Sequence, residues 1–171
     1  SKSGLILSAV LLCALSGYSR AGTEAEDFAR VKSGSDRAAL KRYLETHRDG
    51  AHRADAELLY AKTAADVEEQ TDILENYLKR FTEPERNRDA YRLLAECYFL
   101  KGEFSSLSAL SARYYARGGR ERFMTVFRVR AQMLSQNYAA AWREMDKNGD
   151  GFPPAMRAFA EKRSTGSSGH M

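Results

Sequence analysis

Apolar residues recur along this chain at steps of three and four, the spacing of one face of an α-helix, and no stretch alternates in the way that predicts a strand. A first helix is predicted from Thr23 to Lys32, with Ala25, Phe28 and Ala29 on its apolar side and Ser33-Gly34-Ser35 to break it. Ser35 or Asp36 can cap the next, whose face is Ala39, Leu40, Tyr43 and Leu44 and which Arg48-Asp49-Gly50 ends. Ala56, Leu59, Tyr60 and Thr63 mark a third helix. Val67, Ile73, Leu74, Tyr77, Leu78 and Phe81 mark a fourth, and Pro84 punctuates the turn after it. Then come Ala90, Leu93, Leu94, Cys97 and Tyr98, a break at Lys101-Gly102, and Phe104, Leu107, Leu110 and Tyr114, ended by Gly118-Gly119. A further pair runs from Phe123 to Leu134 and from Tyr138 to Met145. Asp146 to Gly151 reads as a turn, and Pro154 suits the first turn of a terminal helix ending near Lys162. The expectation is an all-α chain of about eight helices with short connections.

The helical stripes themselves repeat. Ala56, Leu59 and Ala61 return 34 residues later as Ala90, Leu93 and Ala95. Tyr43 returns as Tyr77, Ile73 as Leu107 and then Ala141, and Phe104 as Tyr138. A fixed interval of this length is the mark of stacked helix–turn–helix units. One helix pair cannot bury its own apolar face, but a stack of them buries a continuous core, each unit touching only its neighbours. Small residues at Ala61 and Ala95 would let paired helices approach closely, and Tyr77, Phe81, Tyr98 and Phe104 would fill the gaps between pairs.

The stretch from Ala90 to Phe104, with Tyr91, Leu94-Ala95, Tyr98, Gly102 and Phe104, closely resembles the first helix and turn of a tetratricopeptide (TPR) repeat. The resemblance covers Arg53 to Met145 as roughly three repeats, with the second helix of an earlier one at Asp36 to His47. It implies a right-handed α-solenoid of antiparallel helix pairs, about three to four repeats in all. Leu107 and Ile73 stand where the family has Ala. In the last pair Arg128 and Gln132 fall at positions expected to be apolar, and Phe123, Val126 and Phe127 sit one step off, as though the helix were rotated or the preceding turn changed in length.

The two ends differ from the body. Lys2 precedes an apolar run of eleven residues from Leu5 to Leu15, with small residues after it: the pattern of a secretory signal peptide, too short to span a bilayer as a helix. Residues 1–21 are expected to be this segment, 22–163 the helical domain, and 164–171, ending Ser-Ser-Gly-His-Met, a vector-derived tail. The chain does not begin with Met, so the sequence is expected to be less than the whole precursor. Leu15-Ser16-Gly17 resembles the bacterial lipoprotein signal, but Tyr18 occupies the acceptor position and a phenol cannot form the thioether. Lipidation there requires that Tyr18 replace a natural Cys; the alternative is cleavage after Ala21 and a free periplasmic or secreted protein. Export together with such repeats resembles the TPR-type lipoproteins of the bacterial cell envelope, which implies a periplasmic or outer-membrane-anchored protein.

Composition adds exclusions. A net charge of +4 in 171 residues does not call for nucleic acid, and basic and acidic residues are interleaved over most of the chain. Arg113, Arg117, Arg120, Arg122, Arg128 and Arg130, with Tyr114 and Tyr115 nearby, make one basic quarter that could meet an acidic partner or anionic lipid headgroups, or be a solvated face. Cys13 and Cys97 imply no disulfide framework, and Cys97 reads as a buried inert thiol. His47 and His52 flank a turn and read as solvated. Asp146, Asn148 and Asp150 begin like a calcium loop, but Pro153 and Arg157 stand where its later positions need a β-branched residue and a bidentate Glu; the plainer reading is a helix-ending turn. There is no phosphate loop, metal-ligand spacing or nucleophile elbow, so no enzyme and no cofactor is expected.

The TPR resemblance implies a concave groove lined by the first helix of each pair. By register its residues are Asp55, Leu58 and Lys62; Arg92, Glu96 and Phe99; and Val126, Arg130 and Met133. Apolar positions flanked by both charges suit a peptide or helix of mixed character, so the expected function is a protein–protein interaction scaffold whose partner is another envelope protein or peptide. Membrane association would come only through an N-terminal lipid anchor. The alternative is a small-ligand-binding lipoprotein or an accessory subunit of an envelope enzyme.

Overall fold

In a computed structural model the residues described are 22–34, 36–149 and 151–166, and among them the chain is all-helical: nine helices and no strand. The N-terminal segment, with Cys13 and Tyr18, lies outside the described residues, as do Ser35, Asp150 and the last five residues. The chain divides into two compact units, Ser1–Ala56 and Glu57–Met171, and the division falls within α3 (Arg53–Lys62).

In the first unit, α1 (Glu24–Gly34) packs on α2 (Arg37–Thr46). Thr23 and Glu26 form a reciprocal capping box: the Thr23 amide donates to Glu26 Oε2 at 3.0 Å and the Glu26 amide to Thr23 Oγ1 at 3.3 Å. The helix runs through Ser33 and Gly34, two residues past its expected end. Asp36 caps α2, accepting from the amides of Ala38 and Ala39, both at 3.2 Å. Phe28, Leu40 and Tyr43 form the buried apolar centre.

The two histidines expected in a solvated loop are anchored to α1. The His52 ring stacks on Phe28 with centroids 4.6 Å apart, and its Nδ1 donates to Glu24 Oε2 at 2.9 Å. Glu24 also accepts from the Tyr43 hydroxyl, and His47 Nε2 donates to Asp27 Oδ2 at 3.1 Å. The hydrogen bond from Tyr43, then that from His52, holds the Glu24 carboxyl down from 4.5 to about 2. A carboxyl depressed on folding stabilises the fold above its unfolded value and ceases to as the pH falls through its folded one. The Phe28 ring shifts, followed by NMR from pH 4.5 down to about 2, should therefore move toward their disordered values, and Glu24→Gln should show that change already at neutral pH. Phe28 shifts that hold steady in both cases would mean that α1 is fixed by other contacts.

In the second unit, α4 (Val67–Arg80), α5 (Arg88–Lys101), α6 (Phe104–Ala116), α7 (Arg122–Leu134), α8 (Tyr138–Lys147) and α9 (Pro154–Gly166) each pack on the next, and α5 also packs directly on α7. Burial repeats at the sequence interval of 34. Glu57, Tyr91 and Thr125 are buried; so are Ala61, Ala95 and Val129, and again Tyr77, Ser111 and Met145. The turns repeat too. Gly102 (φ 70°) ends α5, its amide donating to Phe99 O at 3.1 Å and the next amide to Tyr98 O at 2.9 Å. The same interval later Gln136 (φ 59°) ends α7 with the same two bonds, to Met133 O at 3.1 Å and Gln132 O at 2.8 Å. Gln136 is the one described residue other than glycine with positive φ, a conformation that costs an L side chain energy and that glycine adopts freely.

α7 is therefore not rotated. Met124, Thr125, Val129 and Ala131 are buried where Ala90, Tyr91, Ala95 and Cys97 are buried on α5. The polar residues at its two apolar positions are accommodated in place. Arg128 pairs with Glu144 of α8 at 2.7 Å and donates to Ser111 Oγ at 3.3 Å. Gln132 keeps its Oε1 buried with no hydrogen-bond partner in the protein. Beyond α8, Val129, Ala141, Met145, Phe152 and Ala160 form a core cluster that α9 helps to close. α9 reaches Gly166, so Ser164 to Gly166 continue a helix where a tail outside the domain was expected.

Candidate partner-binding face

The first-helix positions expected to line a groove are accessible. Lys62, Arg92, Glu96 and Arg130 are exposed, and Leu58, Phe99, Val126 and Met133 are half-buried. Asp55 is exposed as well but belongs to the first unit and is taken by itself. In the second unit contacts run from helix to helix along this set. Lys62 Nζ reaches Asp89 Oδ2 of α5 at 3.4 Å, and the Phe99 ring lies 5.8 Å from that of Phe127 on α7.

Sequence reasoning missed two residues of this face. Leu100 is 69% exposed and Leu134 61%, and they are the most exposed large apolar side chains of the described protein. They stand 34 residues apart, at equivalent places on α5 and α7, one turn beyond Glu96 and Arg130. The repeat interval could have found them, because it pairs Leu100 with Leu134 at positions where neither Tyr91 nor Ala95 leaves room for them in the core. A lone exposed leucine needs no explanation; two at repeat-equivalent positions on packed helices, beside a half-buried Phe99, make a patch.

The other candidates are structural. Cys97 is buried, donates from Sγ to Gln70 Oε1 at 3.3 Å, and burial pushes its thiol up, away from the thiolate a nucleophile needs. Asp146 and Asn148 lie at the end of α8. Arg157, at the place of the missing calcium-loop carboxylate, reaches Asp146 Oδ1 at 3.5 Å, and Asn148 Nδ2 donates to Glu144 O at 2.7 Å. Among the described residues no group of three or more His, Cys, Asp or Glu side chains could hold a metal ion, and no helix is long and apolar enough to cross a membrane. No family of proteins, no curated protein and no solved structure matches the chain.

Proposed function

We propose that this protein is a TPR-like helical-repeat scaffold that holds a peptide or helix of a partner protein against its first helices. The observation that carries this reading is the exposed Leu100–Leu134 pair on neighbouring helices, flanked by Arg92, Glu96 and Arg130. An amphipathic segment fits such a face: two apolar anchors on one side, with an acid toward Arg92 or Arg130 and a base toward Glu96. The burial and turn geometry that recur every 34 residues support the solenoid of helix pairs. The basic, apolar and small-residue order of residues 1–21 supports a place in a bacterial envelope, lipid-anchored if Tyr18 replaces a Cys.

Selection of a displayed library of helical peptides should enrich sequences with two apolar anchors about one or two turns apart. Leu100→Asp with Leu134→Asp should weaken the selected peptides by about tenfold or more while leaving the melting temperature unchanged, since neither side chain is in the core. Enriched peptides that bind the double variant as well as the parent would overturn this face. A stoichiometric small molecule in the native mass spectrum, with no peptide enriched, would favour the small-ligand reading instead.

A further inference from the structure

The basic quarter of the sequence is not spread evenly over the surface. Arg120, Arg122, Arg128 and Lys147 converge on one pocket of about 390 Å³ between the end of α6, the first turn of α7 and the end of α8. Glu144 is the one carboxylate among the described residues lining it, and Arg128 already occupies that carboxylate at 2.7 Å. No described carboxylate pairs with Arg120, Arg122 or Lys147; Arg122 instead lies over the Phe152 ring at 5.5 Å. Glu121, next in sequence, is engaged by Arg88 at 3.3 Å. Three cations therefore face one cavity without counter-charge from the described chain, and bringing like charges together in a partly enclosed space costs energy that a bound anion returns.

The rest of the lining suits an oxyanion. The Tyr115 and Thr125 hydroxyls are bonded to each other at 2.6 Å, so only one of their two protons is used and the other can be donated. The pocket sits at the N-terminal turn of α7, where Glu121 provides no side-chain cap, so the helix dipole adds the same sign of potential. Guanidinium forks match the oxygens of a phosphoryl group two at a time, and an ammonium adds a point charge. We propose that this pocket binds a phosphate group, carried either on a soluble molecule or on a lipid headgroup. None of its lining residues belongs to the face proposed above for a partner, so the two proposals stand or fall separately.

The test uses the full chain, sodium phosphate against sodium chloride at equal ionic strength, and vesicles of phosphatidylcholine with and without phosphatidylglycerol. Arg120→Gln with Lys147→Gln removes two exposed cations from the pocket. Arg113→Gln with Arg117→Gln removes two exposed cations elsewhere in the basic quarter and matches the change in net charge. Saturable phosphate binding, weakened about tenfold or more by the pocket variant and kept by the matched one, supports a soluble phosphoryl ligand. Binding only to phosphatidylglycerol vesicles, with the same ranking of variants, makes the phosphate a headgroup. The site is overturned if neither phosphate nor vesicles bind, or if the two variants lose binding equally. Unchanged melting temperatures for both variants keep a folding defect out of the comparison.

Discussion

Replacing Tyr91 with alanine is expected to destabilise the second unit by about 3–5 kcal/mol, the usual cost of deleting a fully buried aromatic ring. The ring of Tyr91 has no exposed surface and meets that of Tyr114 edge-on at 5.0 Å, joining α5 to α6. Its hydroxyl donates to Thr82 O at 3.0 Å, which ties the turn between α4 and α5 to the same point. Alanine would lose the ring contacts, leave a cavity between two helices and orphan that carbonyl. Tyr91→Phe separates the terms: it keeps the ring and should cost only about 1 kcal/mol. Urea unfolding followed by circular dichroism measures both, as a fall in midpoint at constant slope. A loss below about 1 kcal/mol for alanine would mean that position 91 is not in the core, and that the 34-residue interval does not report burial.

That interval is what made the second unit legible. Ala61, Ala95 and Val129 share a place in the sequence repeat and a place in the core, because tight helix packing allows only a small or compact side chain there. Helix ends were legible where local chemistry sets them, as at Asp36 and Gly102. The first unit was less so. Helical spacing places Phe28 and Tyr43 on apolar faces, but nothing in it shows that Glu24 will meet Tyr43 and His52, nineteen and twenty-eight residues further on. These are pairings between elements, and a period describes only what lies within one. For the same reason the two turn histidines read as solvated when they are tied to α1. On the candidate face the sequence showed the charged positions, whereas the exposure of Leu100 and Leu134 needed the packing of α5 on α7 to give it meaning. Gln136 shows another limit: its left-handed backbone is imposed by the turn that Gly102 makes in the preceding repeat, against its own preference.

Arg128 is the position where repeat and residue disagree most, and it carries the second large expected effect. Its counterpart one repeat earlier, Leu94, is fully buried; Arg128 is 27% exposed and Glu144 18%. Breaking a buried ion pair by removing one partner costs about 3–5 kcal/mol, and partial exposure of both groups lowers the expectation for Arg128→Ala to about 2 kcal/mol. Removing the whole polar cluster is a different experiment. Arg128→Leu with Glu144→Leu and Ser111→Ala restores the repeat's apolar residue and leaves no charge or hydroxyl of the cluster without its partner. That triple variant should be as stable as the parent or more so, because well-packed apolar side chains generally match or exceed a buried ion pair. Thermal unfolding of the single and triple variants decides the matter. If the triple variant falls below Arg128→Ala, the ion pair is a structural bond and α7 needs it to keep its place. If the triple variant matches the parent, stability does not explain why an arginine stands in a leucine's place. What it then explains is charge: Arg128 engages the carboxylate of Glu144, and the three other cations lining the same pocket are left facing it without that neutralising charge.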